Sequence, residues 1–222
     1  MKSINKIQNI SKNDERFERK ILLRVGQSSL IRNYILEKGF KKNYKKRKIT
    51  SIYFDDINLN CLRDNVNGNR ERYKIRLRWY DDNFENSNLE IKFKDGFLGY
   101  KIRYPLSDEK KNLNNLIYKT NKWVKNNFGL YMKPSLKVSY LREYYTYKNL
   151  RLTIDNKMNA FKIIGASYST TNLLNNEVIE IKYNRKNDNH FREIYKYFQK
   201  INLRVGKSSK YSLAMMSWSL IL

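Results

Sequence analysis

The chain has one cysteine, Cys61, and one histidine, His190, in 222 residues. A lone cysteine excludes an internal disulfide framework and a cysteine-based zinc site. A lone histidine excludes multi-histidine metal sites and argues against His-dependent acid–base chemistry. Proline occurs only at Pro105 and Pro134, and there are only 8 glycines. No apolar run approaches the ~18 residues that a membrane span needs. The opening MKSINKIQNISKNDE has no apolar segment, so a secretory signal is not expected and a cytoplasmic location is. Acidic residues are also scarce: 21 Asp+Glu against 46 Lys+Arg leave a formal charge of +25. Such a charge implies an anionic partner, whether nucleic acid, a membrane surface or a small polyanion such as a phosphate chain. The richness in Lys, Asn, Ile and Tyr suits an AT-rich genome, which would make part of the lysine excess uninformative. The run Lys41, Lys42, Lys45, Lys46, Arg47, Lys48 reads as solvated surface, or as a loop leading into a strand.

What is present is enough for a core. Hydrophobic residues make up 41%, with 18 Tyr and 10 Phe, which argues against general disorder. A flexible leader is expected over 1–13 and one domain over 14–222. Strands are expected at 16–25, 48–55, 70–80, 89–94, 98–106, 135–147, 150–155 and 178–184. Residues 81–87 read as a turn, Asp95-Gly96 as a hairpin and Lys148-Asn149 as a strand junction. Helices are expected at 27–38, 58–63, 108–128 and 190–201, and an apolar one ends the chain. Strands joined mostly by turns favour an antiparallel sheet or barrel.

Residues two apart on a strand share a face. In 70–78 one face holds Arg70, Arg72, Lys74, Arg76 and Arg78, and the other Glu71, Tyr73, Ile75 and Leu77. Aligned cations repel one another unless water or anions compensate. The same rule groups Glu90 with Lys92 and Lys94, Lys101 with Arg103, Arg151 with Asp155, and Glu180 with Lys182; Arg142 lies on a further strand. The ordinary alternative is an antiparallel sheet with one wet face. Two features weigh against it. The charged faces recur on at least five strands and are mostly basic, and Glu-x-Lys repeats at Glu18/Lys20, Glu90/Lys92 and Glu180/Lys182. Acids spaced among cations suit a divalent metal beside phosphate. The expected architecture is α+β: a closed antiparallel eight-stranded barrel with a basic lumen and helices packed outside.

The motifs RFERKILL (16–23), SIYFDD (51–56), YKIRLRWY (73–80), LEIKFK (89–94), YLREYY (140–145), LTID (152–155), VIEIKYN (178–184) and SSKYSLAM (208–215) run in one order over nearly the whole chain. Together they resemble the VTC domain, the polyphosphate polymerase domain of the triphosphate tunnel metalloenzyme (CYTH-like) superfamily. The resemblance implies a closed tunnel in which the terminal phosphate of ATP is transferred to a polyphosphate chain with Mn²⁺ or Mg²⁺. It implies catalytic roles for Arg76, Arg78, Lys92, Arg142, Arg151 and Lys182. It implies substrate contacts from Lys20, Lys101, Lys207 and Lys210; Arg70, Lys74, Lys94 and Arg103 join them by sharing the charged strand faces. Glu180, together with Glu18, would hold the metal. ATP and polyphosphate, or another polyanion, are the implied partners; no specific nucleic acid is expected, and any membrane or accessory partner would be another chain. One departure stands out. Related hydrolases open with Glu-x-Glu-x-Lys, whereas here Arg16 occupies the first position, which argues against that branch. A tripolyphosphate hydrolase and a non-catalytic polyanion-binding module remain the alternatives.

Other residues have plainer readings. Cys61 reads as a buried helix residue, His190 as surface, and the three tryptophans as packing groups. Asp55 and Asp56 read as a turn or helix cap, and Tyr140 and Tyr144 share the parity of Arg142.

Overall fold

A computed structural model describes residues 16–95, 98–107, 112–164, 167–168, 172–206 and 209–219. Eight antiparallel strands form one continuous path: β1 (Arg16–Arg24), β2 (Lys41–Asp55), β3 (Glu71–Tyr80), β4 (Asn83–Asp95), β5 (Leu98–Ser107), β6 (Lys133–Tyr147), β7 (Leu150–Ile164) and β10 (Asn176–Asn184). Their spatial order is β1-β10-β7-β6-β2-β3-β4-β5, and the short β8 (Ser167–Tyr168) and β9 (Asn172–Leu174) pair with β7. Among the described residues five α-helices accompany the sheet: α1 (Gln27–Glu37), α2 (Asn60–Asn67), α3 (Leu113–Phe128), α4 (Asp188–Lys200) and α5 (Lys210–Ser219).

Local chemistry sets most boundaries. Lys148 and Asn149 both take positive φ (42° and 65°), the geometry of a tight hairpin between β6 and β7. The Asn112 side chain accepts from the N–H groups of Asn114 and Asn115 and so caps α3. Gly129 ends that helix at φ 67° and donates to the Lys125 carbonyl. The Asp55 carboxylate accepts from the N–H groups of Cys61 and Leu62, and Asp56 from those of Asn58 and Asn60, so the pair caps the loop into α2.

The structure departs from the sequence reading in several places, among them the second helix, which runs over Asn60–Asn67. The turn expected at 81–87 is confined to Asp81 and Asp82, and β4 already begins at Asn83. β7 continues to Ile164, past a kink where Lys157 takes φ 50°. The lysine run at 41–48 is exposed surface, as one of its two readings has it, but it is the first half of β2 and not a loop. His190 is half-buried, with an Nδ1 that has no hydrogen-bond partner. The hairpin residue Gly96 lies outside the described residues, although Asp95 and Leu98 pair as a hairpin requires.

Three apolar clusters hold the sheet. Ile75, Leu77, Trp79, Leu89 and Ile91 pack against Leu116 and Val124 of α3 and Cys61 of α2. Ile21, Leu152, Ile154, Ile179 and Ile181 pack against Ile31 and Ile35 of α1 and Phe191, Ile194 and Phe198 of α4. Each such fully buried aliphatic or aromatic side chain contributes about 1.5–3 kcal/mol. The apolar parity of the strands thus faces the helices, and the charged parity faces the other way.

Two expectations about closure and covering are corrected. The barrel is not closed by hydrogen bonds: among the described residues β1 and β5 end the path and do not pair. Part of the free edge of β1 is taken instead by the segment before α5, through an Ile21–Val205 bridge and the Gly206 N–H donating to the Lys20 carbonyl at 2.9 Å. The helices are not all outside. Tyr211 and Ala214 of α5 pack with Ile49, Tyr53, Leu136, Val138 and Tyr140. Tyr53 stands opposite Arg76 in the β2–β3 register, so α5 lies on the charged face.

Candidate active site

The charged parity of the strands converges on three carboxylate-centred knots. In the first, Glu90 of β4 is 2% exposed and accepts from four directions. Arg76 Nε and Nη2 lie 2.8 and 2.6 Å from Oε2, and Lys101 Nζ and Arg103 Nη2 lie 2.7 and 3.0 Å from Oε1. Arg78 Nη1 approaches at 3.7 Å. Register explains the convergence, since Arg76, Glu90 and Arg103 stand opposite one another across β3, β4 and β5. Burial pushes the Glu90 carboxyl up, but Arg76, Arg78 and Lys101 outweigh it and hold the group far below the usual carboxylate range.

The second knot joins β1, at one end of the strand path, to β4, next to the other end. Glu18 of β1 meets Lys20 at 2.9 Å, Lys92 of β4 at 3.2 Å and Lys182 of β10 at 3.6 Å. Glu180 meets Lys182 at 2.8 Å. The Glu18–Lys92 pair therefore bridges the sheet across the region that backbone hydrogen bonds leave open. Burial and the neighbouring Glu180 carboxylate push Glu18 up, yet Lys20, Lys92 and Lys182 bring it down to about 2. Glu180 is also held well below its ordinary value: burial opposes ionisation, and Lys182, Lys20, Arg142 and Lys210 overcome it.

In the third knot, fully buried Asp155 accepts from Arg142 Nε and Nη2 at 2.6 and 2.7 Å and pairs with Lys210 of α5 at 2.5 Å. Tyr140 connects it to the first knot. Its hydroxyl accepts from Arg78 Nη2 at 3.2 Å, and its ring lies 5.4 Å from the Arg142 guanidinium carbon and 4.6 Å from Lys210 Nζ. Arg78 is further fixed by Ser51 Oγ at 3.0 Å, and Arg76 reaches the Tyr53 hydroxyl at 3.5 Å. Arg76, Arg78 and Arg142 are therefore each fixed by hydrogen bonds on the charged, inner face of the curled sheet.

Cations outnumber carboxylates there, and the surplus registers on lysine. Burial, then Lys20, Lys92, Arg76 and Arg72, lower the Lys74 ammonium to about 7. Lys92, Lys94 and Lys101 are lowered as well, each mainly by burial. Lysines perturbed together by burial and like charge cluster at functional sites.

Of the residues singled out from the sequence, the structure brings together Glu18, Lys20, Lys74, Arg76, Arg78, Lys92, Lys94, Lys101, Arg103, Arg142, Glu180, Lys182 and Lys210. Two stand apart. Arg70 precedes β3 and is 80% exposed, paired with Asp95 at 2.7 Å, because the sheet ends before its side chain can turn inward. Arg151 stands opposite Lys182 but is exposed, since it is the second residue of β7 and lies at the rim. Lys207 lies outside the described residues. Sequence reasoning noted Glu90 and Asp155 only as members of charged faces and missed them as the anchors of four and two cations; strand parity was the signal for both. Tyr53 and Ser51 were missed, because a Tyr and a Ser on an apolar strand carry no charge signal.

The carboxylates Glu18 and Glu180 test the fit of a divalent metal. Among the described residues no cluster of three or more His, Cys, Asp or Glu side chains could cage an ion. Two neighbouring carboxylates do suit the mode in which Mg²⁺ or Mn²⁺ takes one or two protein oxygens and completes its shell with phosphate oxygens. A metal that brings or meets phosphate therefore fits these residues, and an all-protein cage does not.

A curled antiparallel sheet with its cations inside and its apolar face under helices defines the class of fold. The chain belongs to the VTC domain family, whose model matches residues 8–219. Solved structures share the fold at low identity. A putative adenylate cyclase from Vibrio parahaemolyticus is 10% identical with a TM-score of 0.53, over 89% of this chain and 97% of that one. The PH1819 protein of Pyrococcus horikoshii is 16% identical with a TM-score of 0.53, over 93% and 99%. A putative adenylyl cyclase from Hippeastrum, described as having a dominant triphosphatase activity, is 12% identical with a TM-score of 0.53, over 90% and 95%. Comparison with curated proteins gives no match. No described helix is long and apolar enough to cross a membrane.

Proposed function

We propose that this protein is a polyphosphate polymerase-like phosphotransferase that moves the terminal phosphate of ATP onto a polyphosphate chain inside its lumen. Membership of the VTC family and the fold shared with the Hippeastrum protein support an enzyme that handles triphosphate groups. The observation that carries the reading is the cation surplus around Lys74, whose lowered ammonium has four cationic neighbours and no carboxylate among the main influences on it. An elongated anion lying along β3, β4 and β5 supplies the missing countercharge.

In the reaction, a terminal phosphate oxygen of the acceptor chain attacks the γ-phosphorus of ATP, the bond to the bridging oxygen breaks, and ADP leaves with that electron pair. Charge in the loose transition state sits on the equatorial oxygens, so positioning and electrostatics supply the catalysis. Arg76 and Arg78, locked by Glu90, Ser51 and Tyr140, present planar donors to those oxygens. Arg142 of β6, clamped by Asp155 and two strands away from β3, serves the same end, and Lys20, Lys92 and Lys182 hold the flanking phosphates. Arg151 at the rim guides the chain. The ionised acceptor needs no general base, which agrees with a lumen without histidine. Glu180 and Glu18 would hold Mn²⁺ or Mg²⁺, which when bound neutralises charge on phosphate oxygens.

Incubation with ATP, Mn²⁺ and a short polyphosphate primer tests the reading. Growth of the primer with release of ADP is the expected result. Orthophosphate release without growth would make the protein a triphosphatase, as the Hippeastrum protein is described, and saturable binding without turnover would make it a binding module.

A further inference from the structure

The first half of β2 does something the lumen does not explain. β3 pairs with β2 only from Ile49 to Phe54, and the Lys48 backbone is met by the Asp81 N–H at 2.8 Å and the Asp81 carboxylate at 3.2 Å, so residues 41–47 project past the β3 ladder. Residues 41–48 are all exposed. Their other edge pairs with β6, through Lys41 opposite Thr146, Lys42 opposite Tyr145, Tyr44 opposite Tyr144 and Arg47 opposite Arg142, with register shifts between Lys42 and Tyr44 and between Tyr44 and Arg47. The segment is therefore an exposed, bulged strand anchored to β6 and not a loop. It carries six cations in eight positions: Lys41, Lys42, Lys45, Lys46, Arg47 and Lys48. Arg47 and Lys48 are neutralised by Asp81 and Asp82, and Lys46 reaches Glu143 at 3.7 Å. Lys41, Lys42 and Lys45 have no acidic partner among the described residues.

The ribbon continues the lumen wall. Arg47 stands opposite Arg142, whose guanidinium is clamped inside, and β2 itself runs on to Ser51 and Tyr53, which hold Arg78 and Arg76. At about 3.4 Å per residue, the ribbon extends the cationic wall by roughly 25 Å beyond the β3 edge. A strand holding like charges close together is disfavoured unless an anion shares them.

We propose that residues 41–48 are an external track for a long polyphosphate chain, receiving the part of the polymer that projects from the lumen and so making the protein favour long chains over short ones. This rests on the lumen reading above, which concerns only the few phosphates at the reacting end.

The test compares binding of tripolyphosphate with that of a polyphosphate of about 60 units, by calorimetry at fixed ionic strength, for the wild type and the Lys41→Gln/Lys42→Gln/Lys45→Gln variant. These side chains are exposed and touch no lumen group, so the fold is expected to persist, and circular dichroism checks it. In the variant, affinity for the long chain falls about tenfold and becomes less salt-dependent, while tripolyphosphate affinity stays unchanged. Equal long-chain affinity in the two proteins would overturn the track and leave the lumen reading standing. Absence of tripolyphosphate binding by the wild type would overturn both. Loss of binding to phosphatidylserine vesicles in the variant, with long-chain polyphosphate binding intact, would reassign the ribbon to a membrane surface and also overturn the proposal.

Discussion

Glu90→Gln isolates charge from shape. The variant keeps the side-chain volume and one acceptor oxygen, and removes the only negative group bonded to Arg76, Lys101 and Arg103 together. Lys101 and Arg103 have 37% and 53% exposed side chains, so water screens their loss. Glu90 and Arg78 are buried and Arg76 keeps 25% of its side chain exposed, and breaking a buried ion pair from one side costs about 3–5 kcal/mol. With a remaining acceptor oxygen the lower figure applies, about 3 kcal/mol. In a domain of this size each kcal/mol moves the melting temperature by about 2–4 °C, so a drop of about 6–12 °C is expected. Thermal melts followed by circular dichroism at pH 7, low salt and without phosphate measure it. Tripolyphosphate then shifts the variant upward by more than it shifts the wild type, because the anion replaces the missing countercharge. A variant that melts within about 2 °C of the wild type without anion would refute the view that Glu90 holds mutually repelling cations in place.

Glu180→Gln abolishes metal-dependent turnover and leaves tripolyphosphate binding within about threefold of the wild type; unchanged turnover would remove Glu180 from the metal site. Lys74 titrates at about 7, so lowering the pH from 8.5 to 6.5 charges it and strengthens tripolyphosphate binding; Lys74→Met loses that share of the pH dependence, and identical profiles for the two proteins would count against the assignment. Glu143 is pushed up by burial but held at about 2 by hydrogen bonds from Arg32 and Tyr145. Its folded value lies below the ordinary 4.5, so its stabilisation is complete above that pH and is lost as pH falls toward 2; melting temperatures of the wild type should decline through this window more steeply than those of Glu143→Gln. Cys61 is buried and its thiol is pushed up by burial and Asp55, so a thiol reagent should react only after denaturant is added.

Strand parity made much of this site legible. The alternation in 70–80 separates Arg76 and Arg78 from Ile75, Leu77 and Trp79 whatever the strand pairs with, because the side-chain period of an extended chain is local. The Lys148-Asn149 junction, the helix at 190–201 and the place of Asp55 before α2 follow from equally local preferences. The metal and phosphate chemistry was legible only as a pattern, Glu-x-Lys on three strands, which names groups on one face and not the groups they meet.

Long-range pairing decided the rest. Whether the charged parity ends inside depends on which face the helices cover, and that is a property of α3 and α4 docking on strands far away in sequence. Glu90 becomes the anchor of four cations only because β3, β4 and β5 align it between Arg76 and Arg103. The open seam between β1 and β5 depends on Val205 and Gly206 reaching the edge of β1. The position of α5 on the charged face depends on Tyr211 meeting Tyr53 and, 156 residues away in the chain, Asp55. By itself the sequence determined which side chains lie on each face, since that needs only the backbone's own geometry. Only the tertiary structure decided which face is enclosed and which charges touch, since both are settled by contacts between segments that no local period records.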